Sequence, residues 1–167
     1  SVLRNNTAVV GGGVHSQGGT VTVEGSTISL NAASGFNGGG GLSTDVNASL
    51  SILSSVVEKN TAPNGGGIRS RGLLTIMSSV IAENHAAISG AGIWSKGAAN
   101  ITRSTVRDNA PESGAGNLSG GGLFAEDGGA LLITNSSFTG NRAYAGGGIV
   151  VARSPATIAN TTVSGNH

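Results

Sequence analysis

The stretch GGGIRSRGLLTIMSSVIAEN, residues 65–84, begins with three glycines, ends with an asparagine and alternates apolar with other residues in between. Alternation with a period of two, bounded by Gly, Ser and Asn, is typical of short β-strands rather than of an amphipathic helix. Closely similar stretches occur along the whole chain. This one is therefore a unit of an internal repeat, and such repeats have to be identified before other features are interpreted.

Two motifs mark the repeat. A glycine triplet or a near copy of it occurs at residues 11–13, 39–41, 65–67, 90–92, 120–122 and 146–148. A Ser/Thr-x-apolar-x-x-Asn motif ends, at intervals of 24 to 32 residues, on Asn6, Asn31, Asn60, Asn84, Asn109, Asn141 and Asn166. The ten residues that precede the asparagine keep the same length in six copies, so the length differences lie elsewhere. A segment of fixed length between variable ones indicates structure flanked by loops.

Apolar residues at equivalent positions of the repeats form columns. One column contains Val14, Leu42, Ile68, Ile93, Leu123 and Ile149. No single repeat buries its apolar face, but repeats stacked at the strand spacing of about 4.8 Å do. The sequence therefore predicts an all-β fold, a right-handed parallel β-helix with three short strands per coil and about six to seven coils. We expect one domain over residues 1–167, and, because neither end shows a cap, a segment of a longer solenoid.

The constant spacing within the repeat also predicts which residues lie at the corners between the strands. We expect the glycines to stand where a positive φ angle or a close approach of coils excludes a Cβ atom. We expect the asparagines to adopt a left-handed conformation and to form a hydrogen-bonded ladder of side-chain amides. That structural ladder comprises Asn31, Asn60, Asn84, Asn109, Asn141 and Asn166. An inward Ser/Thr column at 26, 55, 79, 104, 136 and 161 should satisfy its hydroxyls in the same way.

The repeats resemble those of polymorphic outer-membrane proteins, bacterial surface autotransporter passengers with Gly-Gly-Ala-Ile-like and Phe-x-x-Asn motifs. FTGN at 138–141 matches the second motif, whereas the other copies carry Ile, Val or Leu in place of Phe, and the glycine motif here is mostly Gly-Gly-Gly. Similar repeats occur in other secreted bacterial β-helix proteins. The resemblance implies an extracellular or bacterial cell-surface location and, by analogy, adhesion, but it carries over no catalytic residues.

Composition and charge argue against several classes of function. A net charge of +1 gives no electrostatic basis for binding nucleic acid, and no apolar run is long enough for insertion into a membrane. Only Glu126 and Asp127 are adjacent among the eight acids, the three histidines fall at different phases of the repeat, and cysteine is absent. Since hydrolases and lyases need clustered carboxylates, we expect no catalytic residues, no metal and no cofactor.

Two features are candidates for interaction. The residues after the glycine corners should point to solvent in one line, and Arg69, Trp94, Phe124 and Val150 in that line form the candidate interaction face. The long insertion 110–119 is a candidate recognition loop that contains Glu112 and Asn117. A surface charge pair between Lys96 and Glu126 is expected next to this line.

These features predict a structural and adhesive β-helix, a rigid stalk that presents loops and an exposed face to a host-cell or glycan ligand. One alternative is a segment of a carbohydrate-active β-helix enzyme, a polysaccharide lyase or hydrolase, whose catalytic coils lie elsewhere. A lesser alternative is a filament subunit that associates with itself end to end.

Overall fold

The computed structural model of the chain describes residues 1–113, 116, 118–127 and 129–167, and every regular element in these ranges is a β-strand. The strands of the described residues pair in parallel and form three sheets that run along one solenoid. The first sheet contains the strands that follow the glycine corners: β3 (Val14–Glu24), β6 (Leu42–Leu53), β9 (Ile68–Ser70), β10 (Leu73–Met77), β13 (Ile93–Ser95), β14 (Ala99–Thr102), β17 (Leu123–Glu126), β18 (Leu131–Thr134), β20 (Ile149–Ala152) and β21 (Ala156–Ala159).

The second sheet contains the strands that precede the asparagines: β1 (Val2–Arg4), β4 (Thr27–Ser29), β7 (Val56–Glu58), β11 (Val80–Ala82), β15 (Thr105–Arg107), β19 (Ser137–Thr139) and β22 (Thr162–Ser164). The third sheet contains short strands that follow the asparagines: β2 (Thr7–Ala8), β5 (Ala32–Ala33), β8 (Thr61–Asn64), β12 (His85–Ser89) and β16 (Ala110–Pro111). The seven strands of the second sheet correspond to six turns of the solenoid over the described residues.

The predicted stacking of equivalent residues is confirmed by the strand register. Ile68 pairs with Leu42 on one side and with Ile93 on the other, and Ile93 pairs with Leu123. These four side chains are at most 1% exposed. The core is thus a set of aliphatic columns, and its largest fully buried side chain is Phe138, which stacks on Val106. Burial of each column requires the coil above and the coil below, which explains why the repeat has to be stacked to be stable.

The strand count varies along the chain, and the corner conformations differ from the prediction. The coils that begin with β17 and β20 have the three predicted strands, and those that begin with β9 and β13 have a fourth in the third sheet. In the coils that begin with β3 and β6 the first two predicted strands are continuous, and a strand of the third sheet is added. The sequence interpretation treated the residues after each asparagine as a loop, but in the described coils Thr61–Asn64 and His85–Ser89 pair as strands of the third sheet. A run of only two to five residues, several of them small or polar, carries too little alternation to be recognised as a strand.

The left-handed conformation belongs to the residue before the asparagine, not to the asparagine itself. Leu30, Lys59, Glu83 and Asp108 have φ angles between 52° and 57°, and glycines occupy the same position at 140 and 165. The expectation that the asparagine adopts this conformation is therefore wrong. The preceding residue turns the chain, and the asparagine that follows can then direct its side chain into the corner, where it is buried.

The asparagine side chains form one continuous hydrogen-bonded column from Asn6 to Asn166. In each step the backbone N–H and the side-chain Nδ2 of one asparagine donate to Oδ1 of the next, at 2.9 to 3.1 Å. For Asn84 the second Nδ2 hydrogen is donated to the carbonyl of Val57 in the preceding coil, at 3.0 Å. Each interior amide is thereby satisfied although it is buried, which is the condition for placing polar groups in a core.

The inward hydroxyl column combines contacts between coils with local contacts. The backbone N–H of Ser55 donates to Oγ of Ser79 at 3.1 Å, and Ser79 N–H donates to Oγ of Ser104 at 3.2 Å. Each hydroxyl also donates to the carbonyl two residues earlier in its own coil, as Ser79 does to Met77 at 2.8 Å. The two polar columns hold neighbouring coils in register at two corners, and the close-packed glycines do so at the third.

No helix among the described residues has the length and hydropathy of a membrane span.

Candidate functional site

A groove follows the glycine corner of the solenoid across several coils. On one side lies the column that continues from the strands of the first sheet, where Arg69 pairs with Trp94 and Trp94 with Phe124. On the other side lies a column formed by Asn64, Ser89 and Ser119, which are paired in register before the next glycines. The groove between them has a volume of about 490 Å³. Its lining consists of Phe36, Asn37, Asn64, Arg69, Ile88, Ser89, Trp94, Ser119, Phe124 and Glu126.

The groove exists because the corner carries no side chains. Gly65 has a φ angle of 60°, which other residues adopt only with strain. A Cβ atom on Gly66 would clash with the carbonyl oxygen of His85, and one on Gly67 would lie 2.7 Å from the carbonyl oxygen of Gly92. The three glycines therefore satisfy both conditions expected from the sequence. The absence of side chains at this corner therefore has two effects. It lets the coils pack closely, and it leaves the groove between the two side-chain columns.

The loop at Phe36 and Asn37 lies at one end of the groove. Asn64 Nδ2 donates to the carbonyl of Phe36 at 3.0 Å, and Nη2 of Arg69 donates to Oδ1 of Asn37 at 3.2 Å. Ser89 Oγ donates to Oδ1 of Asn64 at 2.6 Å and so connects this end to the side wall. The ring of Phe36 is 72% exposed, which makes it the most accessible aromatic surface of the groove.

The expectation that the line after the glycine corners points freely to solvent is wrong for two of its residues. Arg69 is 5% exposed and Trp94 is 7% exposed, because the column of Asn64, Ser89 and Ser119 and its adjoining loops lie beside them. The guanidinium carbon of Arg69 lies 4.7 Å from the centre of the Trp94 ring, a cation–π contact that occupies one face of the indole. Phe124 and Val150, which are paired in register, are half-buried.

The predicted recognition loop is only partly a protruding loop. Glu112 is exposed, and Asn117 lies outside the described residues. Leu118 is fully buried in a small cluster with Ala86 and Ala91, and Ser119 bridges to Ser89 and Ala145. The end of the insertion is therefore anchored in the wall of the groove.

The predicted pairing of Lys96 with Glu126 is replaced by a pairing with Asp127. Lys96 Nζ lies 3.1 Å from Asp127 Oδ2, and Arg153 binds the other oxygen of the same carboxylate. Hydrogen bonds from Arg153 and then Lys96 hold the pKa of Asp127 below its usual range. The chain turns at Asp127 with a φ angle of 57°, and Glu126 lies in the lining of the groove instead. Among the described residues, no three His, Asp or Glu side chains are grouped as a metal site would require.

Sequence reasoning missed the residues that build the second wall. Phe36, Ile88 and Ser89 lie in segments that were interpreted as loops of variable length. A signal was available, since Asn64, Ser89 and Ser119 all directly precede the first glycine of a triplet and therefore share one phase of the repeat. The single aromatic residue Phe36, in the otherwise small and polar segment 32–41, was a second signal.

Comparison with known proteins places these features in a wider group. A family model described as a right-handed beta helix region matches residues 1–167, the whole of the chain. No curated protein matches the chain significantly. No solved structure does so either. The match agrees with the parallel solenoid and with the predicted right-handed winding.

Proposed function

Because the chain belongs to this right-handed β-helix family, we propose that it is a rigid scaffold that binds a glycan in the corner groove without transforming it. The groove carries this proposal. It combines the exposed Phe36 and the apolar side chain of Ile88 with the amide of Asn64 and the hydroxyl of Ser89. Apolar surfaces beside fixed hydrogen-bonding groups suit a sugar ring, which has apolar C–H faces and a polar rim of hydroxyls.

The backbone around the groove supports a glycan rather than an extended peptide. Peptides commonly bind by adding a strand to an open sheet edge. Here the backbone N–H groups of Gly65, Ile68 and Gly90 donate to carbonyls of the next coil at 2.9 to 3.0 Å, so they are not available to a ligand. Recognition in the groove therefore depends on side chains, which the two columns hold at the repeat spacing of the coils.

Glycan arrays test this proposal with the chain itself. Replacement of Phe36 by Ala removes the most exposed ring of the groove and should weaken binding about fivefold or more, on the scale of about 1–3 kcal/mol that stacking of a nucleic-acid base on an aromatic side chain contributes. Leu73→Ala is the matched control, because Leu73 is 51% exposed on another part of the first sheet. Trp94 is unsuitable for this purpose, since its ring is buried and its removal also disturbs packing.

Two results would overturn the proposal. One is equal binding of all glycans by the wild type, Phe36→Ala and Leu73→Ala proteins. The other is the release of shortened or unsaturated products from a bound glycan, which would favour the carbohydrate-active enzyme.

The proposed setting is the surface of a bacterial cell, where a stalk of this kind presents an adhesive site. The resemblance of its FTGN motif and its glycine-rich corners to the repeats of autotransporter passengers supports this location. An antibody raised against the chain should label intact cells of the source bacterium. Labelling only after cell lysis would contradict the surface location. It would not affect the proposal of glycan binding, which the glycan array tests separately.

A further inference from the structure

Arg69, next to Asn37 at one end of the groove, is a buried cation with an incomplete set of partners. Its Nη2 donates to Oδ1 of Asn37, and its guanidinium lies over the ring of Trp94. Its Nη1 is buried and has no hydrogen-bond partner among the described residues. A buried guanidinium is costly unless it is paired, so a native structure that keeps one in this state calls for an explanation.

The surrounding charges do not complete the site. No carboxylate of the described residues lies within 4.0 Å of the Arg69 guanidinium, although Asp45 and Glu126 act on it from a longer range. Loss of hydration on burial, together with the nearby charge of Arg71, lowers the pKa of Arg69. The ordinary pKa of a guanidinium is so high that the Arg69 side chain still carries its charge at neutral pH. The corner thus holds a desolvated positive charge that faces a neutral amide.

We propose that Arg69 binds the carboxylate of an acidic sugar at this end of the groove. A carboxylate presents two oxygens that match the two parallel N–H groups of a guanidinium. One oxygen would take the place of Asn37 Oδ1 on Nη2, and the other would accept the hydrogen bond that Nη1 lacks. This inference rests on the proposed function, since it specifies the class of glycan that the groove selects.

The other parts of the groove fit the remainder of such a sugar. Asn37 is exposed and lies in the segment Gly35-Phe36-Asn37-Gly38, so its amide can turn away from Arg69 at little cost. Ser89 and Ser119 lie along the side wall. Glu126 lies near Phe124, two coils from Arg69, where a carboxylate accepts hydrogen bonds from sugar hydroxyls. The groove therefore has polar groups along its length beside its apolar side chains, with its cation at the end next to Asn37.

The experiment compares a uronic acid with its neutral counterpart. Cellobiouronic acid and cellobiose are titrated into the wild-type chain and followed by ligand-observed NMR. The acid should bind at least about tenfold more tightly, since hydrogen bonds to a charged group are the stronger ones. Arg69→Met, which keeps the apolar stem over Trp94, should abolish this preference, whereas Arg71→Met should retain it.

Two further variants separate recognition from folding. If Arg69 served the fold alone, Arg69→Met would melt at a lower temperature than the wild type. The proposal predicts an equal or higher melting temperature, because an unpaired buried charge is removed. Asn37→Ala removes the amide that competes for Nη2 and should tighten binding of the acid severalfold. An Asn37→Ala protein with no gain, or with a loss, would contradict the proposal even if Arg69→Met did not fold.

The outcomes distinguish this inference from the function on which it rests. Equal affinity of the wild type for the acid and the neutral sugar would overturn the inference and leave glycan binding intact. Binding of neither sugar, together with an array on which no glycan binds, would overturn both.

Discussion

Single residues at the corners decide how tightly the chain can turn. Twelve residues other than glycine have a positive φ angle among the described residues, and ten of them directly precede a residue of the asparagine or hydroxyl column. The other two, Asp127 and Arg153, directly follow strands β17 and β20. Each such residue costs about 1–2 kcal/mol relative to a relaxed backbone. This cost is offset because the polar side chain of the following residue is then buried with its hydrogen bonds satisfied.

Leu30 provides a direct test of that cost. It has a φ angle of 57° and is 52% exposed, so it loses little burial when truncated. Leu30→Gly should raise the free energy of unfolding by about 0.5–1 kcal/mol, the relief of strain less the entropy cost of glycine. Leu132→Gly, an exposed leucine in the extended strand β18, should lower it by a similar amount. Urea titrations that show the same sign for both variants would exclude the strain argument.

The asparagine column is tested by removal of one of its amides. Asn84→Ala leaves the backbone and side-chain N–H donors of Asn60 without their acceptor in a buried interior. It also removes the side-chain donor to the carbonyl of Val57 and to Oδ1 of Asn109. The free energy of unfolding should fall by about 3 kcal/mol or more, since each unsatisfied buried group costs about 1–3 kcal/mol. Asn100→Ala is the control, because Asn100 is exposed on β14 and outside the column. Equal urea midpoints for the two variants would show that the ladder contributes nothing to stability.

At the scale of the elements, the glycine corner determines both the packing of coils and the presence of a groove. Gly66→Ala would place a Cβ against the carbonyls of His85 and Ala91 and should lower the free energy of unfolding by about 3 kcal/mol, the upper range for overpacking. Gly18 is the matched control, since the nearest atom to its Cβ would be 3.8 Å away. Gly18→Ala should change stability by no more than about 0.5 kcal/mol. Equal melting temperatures of the two variants would contradict the close-packed corner.

How much of an element can be predicted depends on the length of its pattern. The columns that contain Ile68 and Ile81 follow from alternation over several residues and recur in every coil, so their register was predictable. The third sheet was not, because its strands are two to five residues long. The burial of Arg69 and Trp94 was not predictable from the sequence either. It depends on how far the segments before the glycines extend beside these two side chains. The alternation of apolar residues contains no information on that extent.

At the scale of the whole molecule, the solenoid converts a sequence period into a physical spacing. Every coil places its side chains one strand spacing above those of the coil before, so a column of like residues is also a column of fixed distances. The groove inherits this order, with Arg69, Trp94 and Phe124 on successive coils. A rigid array of this kind suits recognition of a repeating polymer, and the proposed glycan function depends on it.

Cross-linking between introduced cysteines tests this stacking most directly, because the chain contains no cysteine of its own. Ser51 and Thr75 are register partners on adjacent coils, and Asn100 is the partner of Thr75 on the coil beyond. Adjacent positions are about 4.8 Å apart, within the range of roughly 4.4–6.8 Å that a disulfide spans, whereas positions two coils apart are about 9.6 Å apart. The Ser51→Cys/Thr75→Cys protein should therefore form an intramolecular disulfide under mild oxidation, and the Ser51→Cys/Asn100→Cys protein should stay reduced. A bond in the second protein and none in the first would contradict the stacking of the coils.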